Sequence, residues 1–199
     1  VTLIICACQL FTSSLVGFVF AKYQFIGRDM LFVGILATMM VPWPVLLIPQ
    51  YVIALNLGLI NTRAVLILPF LYSAFGIFLM RQFMHSIPDE LMDAARIDGA
   101  SEPMIFARII VPLTGPALAA LGIFTFMGNW DSFVWPLITL SNEDLYTLPI
   151  GLASFVGPRW SDQAAINAGT FITIIPVVIV FLILQRRFIE GIALTGMKG

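Results

Sequence analysis

Uncharged apolar stretches alternate with short charged segments along the whole chain, and the stretches have bilayer lengths. Residues 1–21 carry no charge and would reach about 31 Å as a helix, the thickness of a hydrocarbon core. Residues 30–62 are also uncharged, but Pro42, Pro44 and Pro49 fall among them. A span over 30–55 is therefore expected to be kinked or broken where protein or a cavity can satisfy the freed carbonyls. Residues 64–80, bounded by Arg63 and Arg81, make a third stretch at the short end of spanning length. A fourth runs over 113–140, interrupted by Asp131, and a fifth over 164–184. The pattern predicts an all-α transmembrane chain: one domain over 1–199 with five spans, a polar loop over 81–112 and a tail over 185–199.

Composition removes the alternatives. With 60% of residues apolar, 11% charged and a mean hydropathy of +1.00, the chain lacks the polar surface a water-soluble core needs. A net charge of −1 with scattered bases argues against nucleic acid, which needs clustered Lys and Arg. Cys6 and Cys8 lie two apart in an apolar run and read as packing residues. Charge placement then orients the chain, because Lys and Arg are held back on the cytoplasmic side. One alternating set of connections holds eight: Lys22, Arg28, Arg81, Arg96, Arg108, Arg186, Arg187 and Lys198. The opposite set holds two, Arg63 and Arg159. The 81–112 loop and the C-terminus are thus expected to be cytoplasmic, with Val1 on the outer side. No basic region or cleavage site precedes the first span, so it is not read as a signal peptide, and the chain is expected to be the C-terminal part of a longer one.

The loop from Ser86 to Pro112 is unlike its surroundings and reads as two short helices. Pro88 can open the first, Asp89 and Glu90 complement its positive end, and Arg96 lies near its negative end. Gly99 stops it in a left-handed conformation, and Ser101 can cap the second, with Glu102 and Pro103 in its first turn and Pro112 at its end. Leu91, Ala94, Ala95 and Asp98 share a face of the first helix; Ile105, Phe106 and Ile109 mark an apolar face of the second. From Asp89 to Arg108 there are five acids and two bases. An anionic inner leaflet would repel that balance, which favours a bracket docked on protein over a hairpin lying on lipid.

Asp93-Ala94-Ala95-Arg96-Ile97-Asp98-Gly99-Ala100, followed by Ile109-Ile110-Val111-Pro112 and Pro116, resembles the "EAA" loop of membrane subunits of bacterial ATP-binding-cassette importers, E-A-A-x-x-D-G-A with a later I-x-x-P. Residues 128–137, 146–152 and 191–199 are similar to the carbohydrate-type permease subunits, the maltose and glycerol-phosphate kind. The resemblance covers nearly the whole chain and implies six spans, the first lying before Val1. It also implies a coupling helix seated in a cleft of an ATP-binding subunit, a role falling on Asp93, Ala94, Ala95, Asp98 and Gly99. Asp93 stands where the family has glutamate. Asp131 and Ser132 stand where it has an Asn followed by an acid or amide. The implied assembly is a second permease subunit, two ATP-binding subunits that hold ATP and Mg, and an extracytoplasmic substrate-binding protein, in the bacterial cytoplasmic (inner) membrane. No cofactor is expected on this chain.

Asp131 is the one charge well inside a span, and an ionised carboxylate at mid-bilayer costs roughly 2.5 to 3.5 kcal/mol on insertion scales. It should face the bundle interior or water, about 23 Å along a helix from Pro116 and so in the outer half. With Asn129, Trp130 and Trp135 beside it, two readings stand: a sugar pathway, since sugars stack on aromatic rings and hydrogen-bond to carboxylates and amides, or an aromatic belt at headgroup level. Gln50, beside Pro49, is a further pathway candidate; Gln9 and Gln185 read as lying near helix ends or packed on neighbours. His85 is the single histidine, so a His-based zinc site or a Ser-His-Asp triad lacks parts. Gly191 and Gly196 have phosphate-loop spacing, but Met197 displaces the lysine. The function expected is a non-enzymatic permease subunit for a sugar or sugar-like solute. Alternatives are an importer of another solute, such as glycerol phosphate or polyamine, and more remotely an intramembrane lipid enzyme.

Overall fold

The computed structural model describes residues 1–156 and 163–196, with side chains as far as Gln185. Arg159 and Lys198, counted above for orientation, lie outside the described residues, as do the side chains of Arg186 and Arg187. Among the described residues the chain is helical throughout, without a strand. Three segments among the described residues are long and apolar enough to cross a bilayer alone, Thr2–Lys22, Arg63–His85 and Gln163–Gln185, and the number is five where each of two bent pairs counts as one span.

Helix α1 (Thr2–Lys22) is unbroken. α2 (Arg28–Met39) and α3 (Trp43–Asn56) meet at 97°, which is the break expected of the second span. Its cause is local: Pro42 disfavours helical backbone at Val41 and is itself extended, while Pro44 fits the first turn of α3. Pro49 lies inside α3 without ending it.

The third span differs from its expected form. α4 (Arg63–Ile67) passes through a 3-10 turn at Leu68–Phe70, centred on Pro69, before α5 (Ala74–His85) begins. The carbonyls released there are met from α1: Gln9 Nε2 donates to Phe70 O at 2.7 Å and Thr12 Oγ1 to Leu71 O at 3.2 Å. Nor does Arg81 end the span. α5 continues to His85 because the Arg81 guanidinium lies over the Phe32 ring, 4.0 Å from its centroid, and Nε donates to Phe20 O at 3.4 Å.

The loop forms α6 (Glu90–Ile97) and α7 (Glu102–Leu113). α6 starts two residues after Pro88, and the Ser101 hydroxyl makes no cap hydrogen bond although its carbonyl accepts from Ile105 N at 2.9 Å. Pro112 does not end α7. A wide π turn at Phe106–Ile110 shifts the hydrogen-bond register just before the proline, so the missing N–H is absorbed, and the helix stops at Thr114. α8 (Gly115–Trp130) leaves at 78°. The fourth apolar stretch is not one helix: it breaks at 131–133 before a short α9 (Val134–Thr139). α10 (Leu148–Ala153) and α11 (Gln163–Gly196) follow, the latter's backbone running through the start of the expected tail.

α1 packs on α5 and α8. Small residues line the α1–α5 crossing, Ser13 and Gly17 against Gly76 and Met80, which lets the backbones approach closely where lipid supplies no hydrophobic drive between helices. Below it one core cluster joins Phe18, Met80 and Met84 to Met92, Ala95, Ile105 and Ile110 of the bracket. A second, around Trp135, Val65 and Leu66, closes the other end, where Trp135 Nε1 donates to Val65 O at 2.9 Å.

Candidate functional site

The bracket has an inward and an outward side. Met92 and Ala95 are buried in the first core cluster and seat α6 on the bundle, while Leu91, Asp93, Ala94, Asp98 and Gly99 are exposed. Four of the five residues expected to meet an ATPase are therefore presented outward, and Ala95 is not: it faces the bundle. Ile97 was missed. It is 87% exposed at the end of α6, on the outward side with Ala94 and Asp98. An isoleucine beside an Asp-Gly helix stop was the signal available for it.

Gly99 makes the turn between the two bracket helices. Its φ of +81° lies in the left-handed region, and the turn closes with Gly99 N donating to Arg96 O at 3.0 Å and Ala100 N to Ala95 O at 2.9 Å. That paired bonding is a Schellman stop, with Ala100 packed into the same core cluster as Ala95.

Polar side chains hold the bracket in shape. Arg96 bridges α6 to α7, with Nη1 to Asp93 Oδ1 and Nε to Glu102 Oε1, both 2.8 Å. Asp93, the family's glutamate position, is thus paired within the bracket. Glu102 also accepts from the Tyr23 hydroxyl, and Lys22 donates to the Ile87 carbonyl and to Asp89 Oδ1 at 2.6 Å. These pairings shift protonation. The Arg96 hydrogen bond holds Glu102 below the usual carboxylate range, and the Lys22 hydrogen bond does the same to Asp89. Tyr23 is pushed up to about 12, first by burial and then by its Glu102 acceptor.

The signs define a pH window. A lowered carboxylate contributes stability above its unfolded pKa that is lost as pH falls through the folded one; a raised phenol contributes below its unfolded value near 10 and loses it as pH rises through about 12. The contacts accordingly persist across neutral pH. The tyrosinate absorbance difference between the wild-type chain and Tyr23→Phe should develop near pH 12. Development at the ordinary tyrosine value would contradict the hydrogen bond to Glu102.

The pathway candidates do not converge on one place. Asn129 and Trp130 line a cavity of about 490 Å³, together with Arg63, Ser132, Asp144 and Tyr146, and the start of α1 forms one of its walls. Trp130 is fixed there by stacking on Phe126 and by Nε1 donating to Thr173 O at 3.1 Å; Asn129 Nδ2 donates to Thr125 O at 2.8 Å. Asp131 is exposed at the end of α8 and does not line this cavity. Gln50 lies outside it as well, with a buried Oε1 that no donor reaches among the described residues.

Spans broken at prolines, a bracket with an exposed apolar tip and a mostly apolar cavity edged by Arg63, Asn129, Asp144 and Tyr146 are the features of a membrane subunit. The chain belongs to the family of inner membrane components of binding-protein-dependent transport systems, whose family model matches residues 13–193. It is a permease subunit of an ATP-binding-cassette importer and not an enzyme, so the lipid-enzyme reading falls. Over 199 residues it is 41% identical to the arabinooligosaccharides transport system permease protein AraQ of Halalkalibacterium halodurans, covering all of this chain and 71% of that protein. It is 36% identical over 182 residues to the sn-glycerol-3-phosphate transport system permease protein UgpE of Shigella flexneri, covering 90% of this chain and 65% of that one. Among solved structures it is similar to a bacterial ABC transporter involved in the import of the acidic polysaccharide alginate, with a TM-score of 0.79, 26% identity and coverage of 94% of this chain and 72% of that chain.

Proposed function

We propose that this chain forms half of a translocation pathway for a sugar or sugar-like solute and docks an ATP-binding subunit through the outward side of α6. A second permease subunit supplies the other half. Two ATP-binding subunits hold ATP and Mg on the cytoplasmic side, where the bracket and the C-terminus lie, and a substrate-binding protein delivers solute from outside. Closure of the ATPases around ATP moves the bracket as a rigid lever and rocks the spans, and hydrolysis resets them.

One observation carries the docking role: Met92 and Ala95 anchor α6 firmly while Ile97 stands 87% exposed beside Asp98 and Gly99. An isolated apolar side chain on a rigid, acid-rich rim suits a complementary pocket on protein better than water. Asn129, Trp130 and Tyr146 around the cavity suit a neutral polyol. Arg63 and Asp144 both line the cavity, one base beside one acid, which is no basic cluster for a phosphate. Ile97→Asp should reduce ATPase co-purification in mild detergent at least tenfold while the permease pair survives; unchanged co-purification would reject the docking face. Which solute the cognate binding protein retains then separates a neutral sugar from glycerol phosphate or a polyamine.

A further inference from the structure

We propose that Lys22 and Tyr23 clasp both bracket helices to the end of α1, making α1 the rod that carries bracket motion to the cavity; this rests on the docking role proposed above. The geometry has three parts. First, the clasp has two points. Lys22, its side chain 3% exposed, holds the entry to α6 through the Ile87 carbonyl and Asp89, while Tyr23 holds the start of α7 through Glu102. Arg96 then ties Glu102 back to Asp93, so the two points are joined across the bracket. The Tyr23 ring is seated too: Phe18 meets it edge-on at 5.3 Å and meets Phe106 of α7 at 5.2 Å.

Second, the other end of the same helix reaches the cavity. Val1 to Ile5 line it together with Asn129 and Trp130. Leu3 in that lining and Lys22 in the clasp are about 28 Å apart along α1. Third, the competing routes bend. α2 and α3 meet at 97°, α4 and α5 are separated by the Leu68–Phe70 turn, and α7 meets α8 at 78°. α1 is an unbroken helix that hydrogen-bonds to both bracket helices at one end and lines the cavity at the other, and its polar contacts at Phe70 and Leu71 fix it to the bent third span on the way. A displacement of the bracket is transmitted along α1 as a rigid body, while the bent segments can absorb part of it.

Lys22 and Tyr23 are positioning residues, so the readout is solute uptake per ATP hydrolysed by the assembled transporter in lipid vesicles. Tyr23→Phe keeps the ring and removes the hydroxyl; Lys22→Met keeps the length and removes the charge. Each is expected to lower uptake per ATP about tenfold, the size of one lost hydrogen bond to a charged acceptor, with complex yield and basal ATPase rate within about twofold of wild type. Lys22→Arg should restore most of the ratio. If uptake per ATP stays at the wild-type value in both variants, or if uptake and ATPase fall together at a constant ratio, the clasp is refuted. Should Lys22→Met fail to assemble, Tyr23→Phe decides the matter. Ile97→Asp in parallel separates the two ideas: its failure to assemble beside normal clasp variants sinks the clasp alone, and its normal assembly sinks the docking reading.

Discussion

Gly17→Val is expected to cut the yield of assembled subunit several-fold and to lower the thermal midpoint of the complex that remains. A Cβ at Gly17 would sit 2.8 Å from Met80 Cβ and 3.0 Å from Arg81 N, so the obstacle is the backbone of α5 and the root of a side chain. Neither can rotate away. Between membrane helices, association rests on close packing, and overpacking a tight site costs typically 1–3 kcal/mol even where a core can adjust. That is a large share of a net stability of roughly 5–15 kcal/mol. Gly76 tests the same crossing from the other helix, where an added Cβ meets Ser13 Oγ at 2.3 Å and Ser13 Cβ at 3.0 Å. Part of this clash is a hydroxyl, so Ser13→Ala should recover some of the loss in Gly76→Ala, whereas no single truncation recovers Gly17→Val. Thermal midpoints of the purified complex check the series. A Gly17→Val midpoint equal to the wild type would show that α1 and α5 do not cross as described.

Legibility of the fold followed from what a bilayer excludes. Charges are expelled from hydrocarbon, so the uncharged lengths of the sequence fall on helices, and clustered prolines mark the break between α2 and α3. The same rule misplaced the end of the third span, because Arg81 covers itself with the Phe32 ring and a carbonyl and stays inside a helix. Pro69 is the readable sign of the 3-10 turn before α5, in a stretch whose charge pattern alone shows no break. What no local pattern could reveal is that Gln9 and Thr12, some sixty residues away, would satisfy the carbonyls that turn releases.

The candidate site divides the same way. Gly99 was legible because a left-handed stop favours one residue type. Ala94 and Ala95 looked alike, yet adjacent helical positions point about 100° apart, and only tertiary packing decides which meets the core. Lys22 counts in the sequence as one of the basic residues between spans and nothing there marks Tyr23; their partners lie 65, 67 and 79 residues on, beyond any periodicity. Asp131 was singled out as the costliest charge in a span. The structure meets that cost by ending α8 there, which leaves the carboxylate exposed on the chain and outside the cavity.

Gly99→Val should cut ATP-driven uptake roughly 5- to 30-fold, and the cause is backbone rather than space. Nothing lies within 4 Å of where its Cβ would stand, so the space for that atom is open. The φ of +81° is the difficulty: a side chain there costs about 1–2 kcal/mol, most severely when β-branched, which is a factor of 5–30 in the population of the intact turn. Relaxing φ would open the bonds from Gly99 N and Ala100 N, pull Ala100 from its seat beside Ala95, and tilt Ile97 and Asp98 away from the surface they present. Asn tolerates the left-handed region through local hydrogen bonding, so Gly99→Asn should keep most of the uptake and Gly99→Ala should fall between the two. A steric account of the site would rank the variants by size, placing Asn with Val and far from Ala. The order Asn above Ala above Val, in uptake by complexes of matched yield, therefore distinguishes strain from contact. If all three equal the wild type, the bracket does not need this turn to act as a lever.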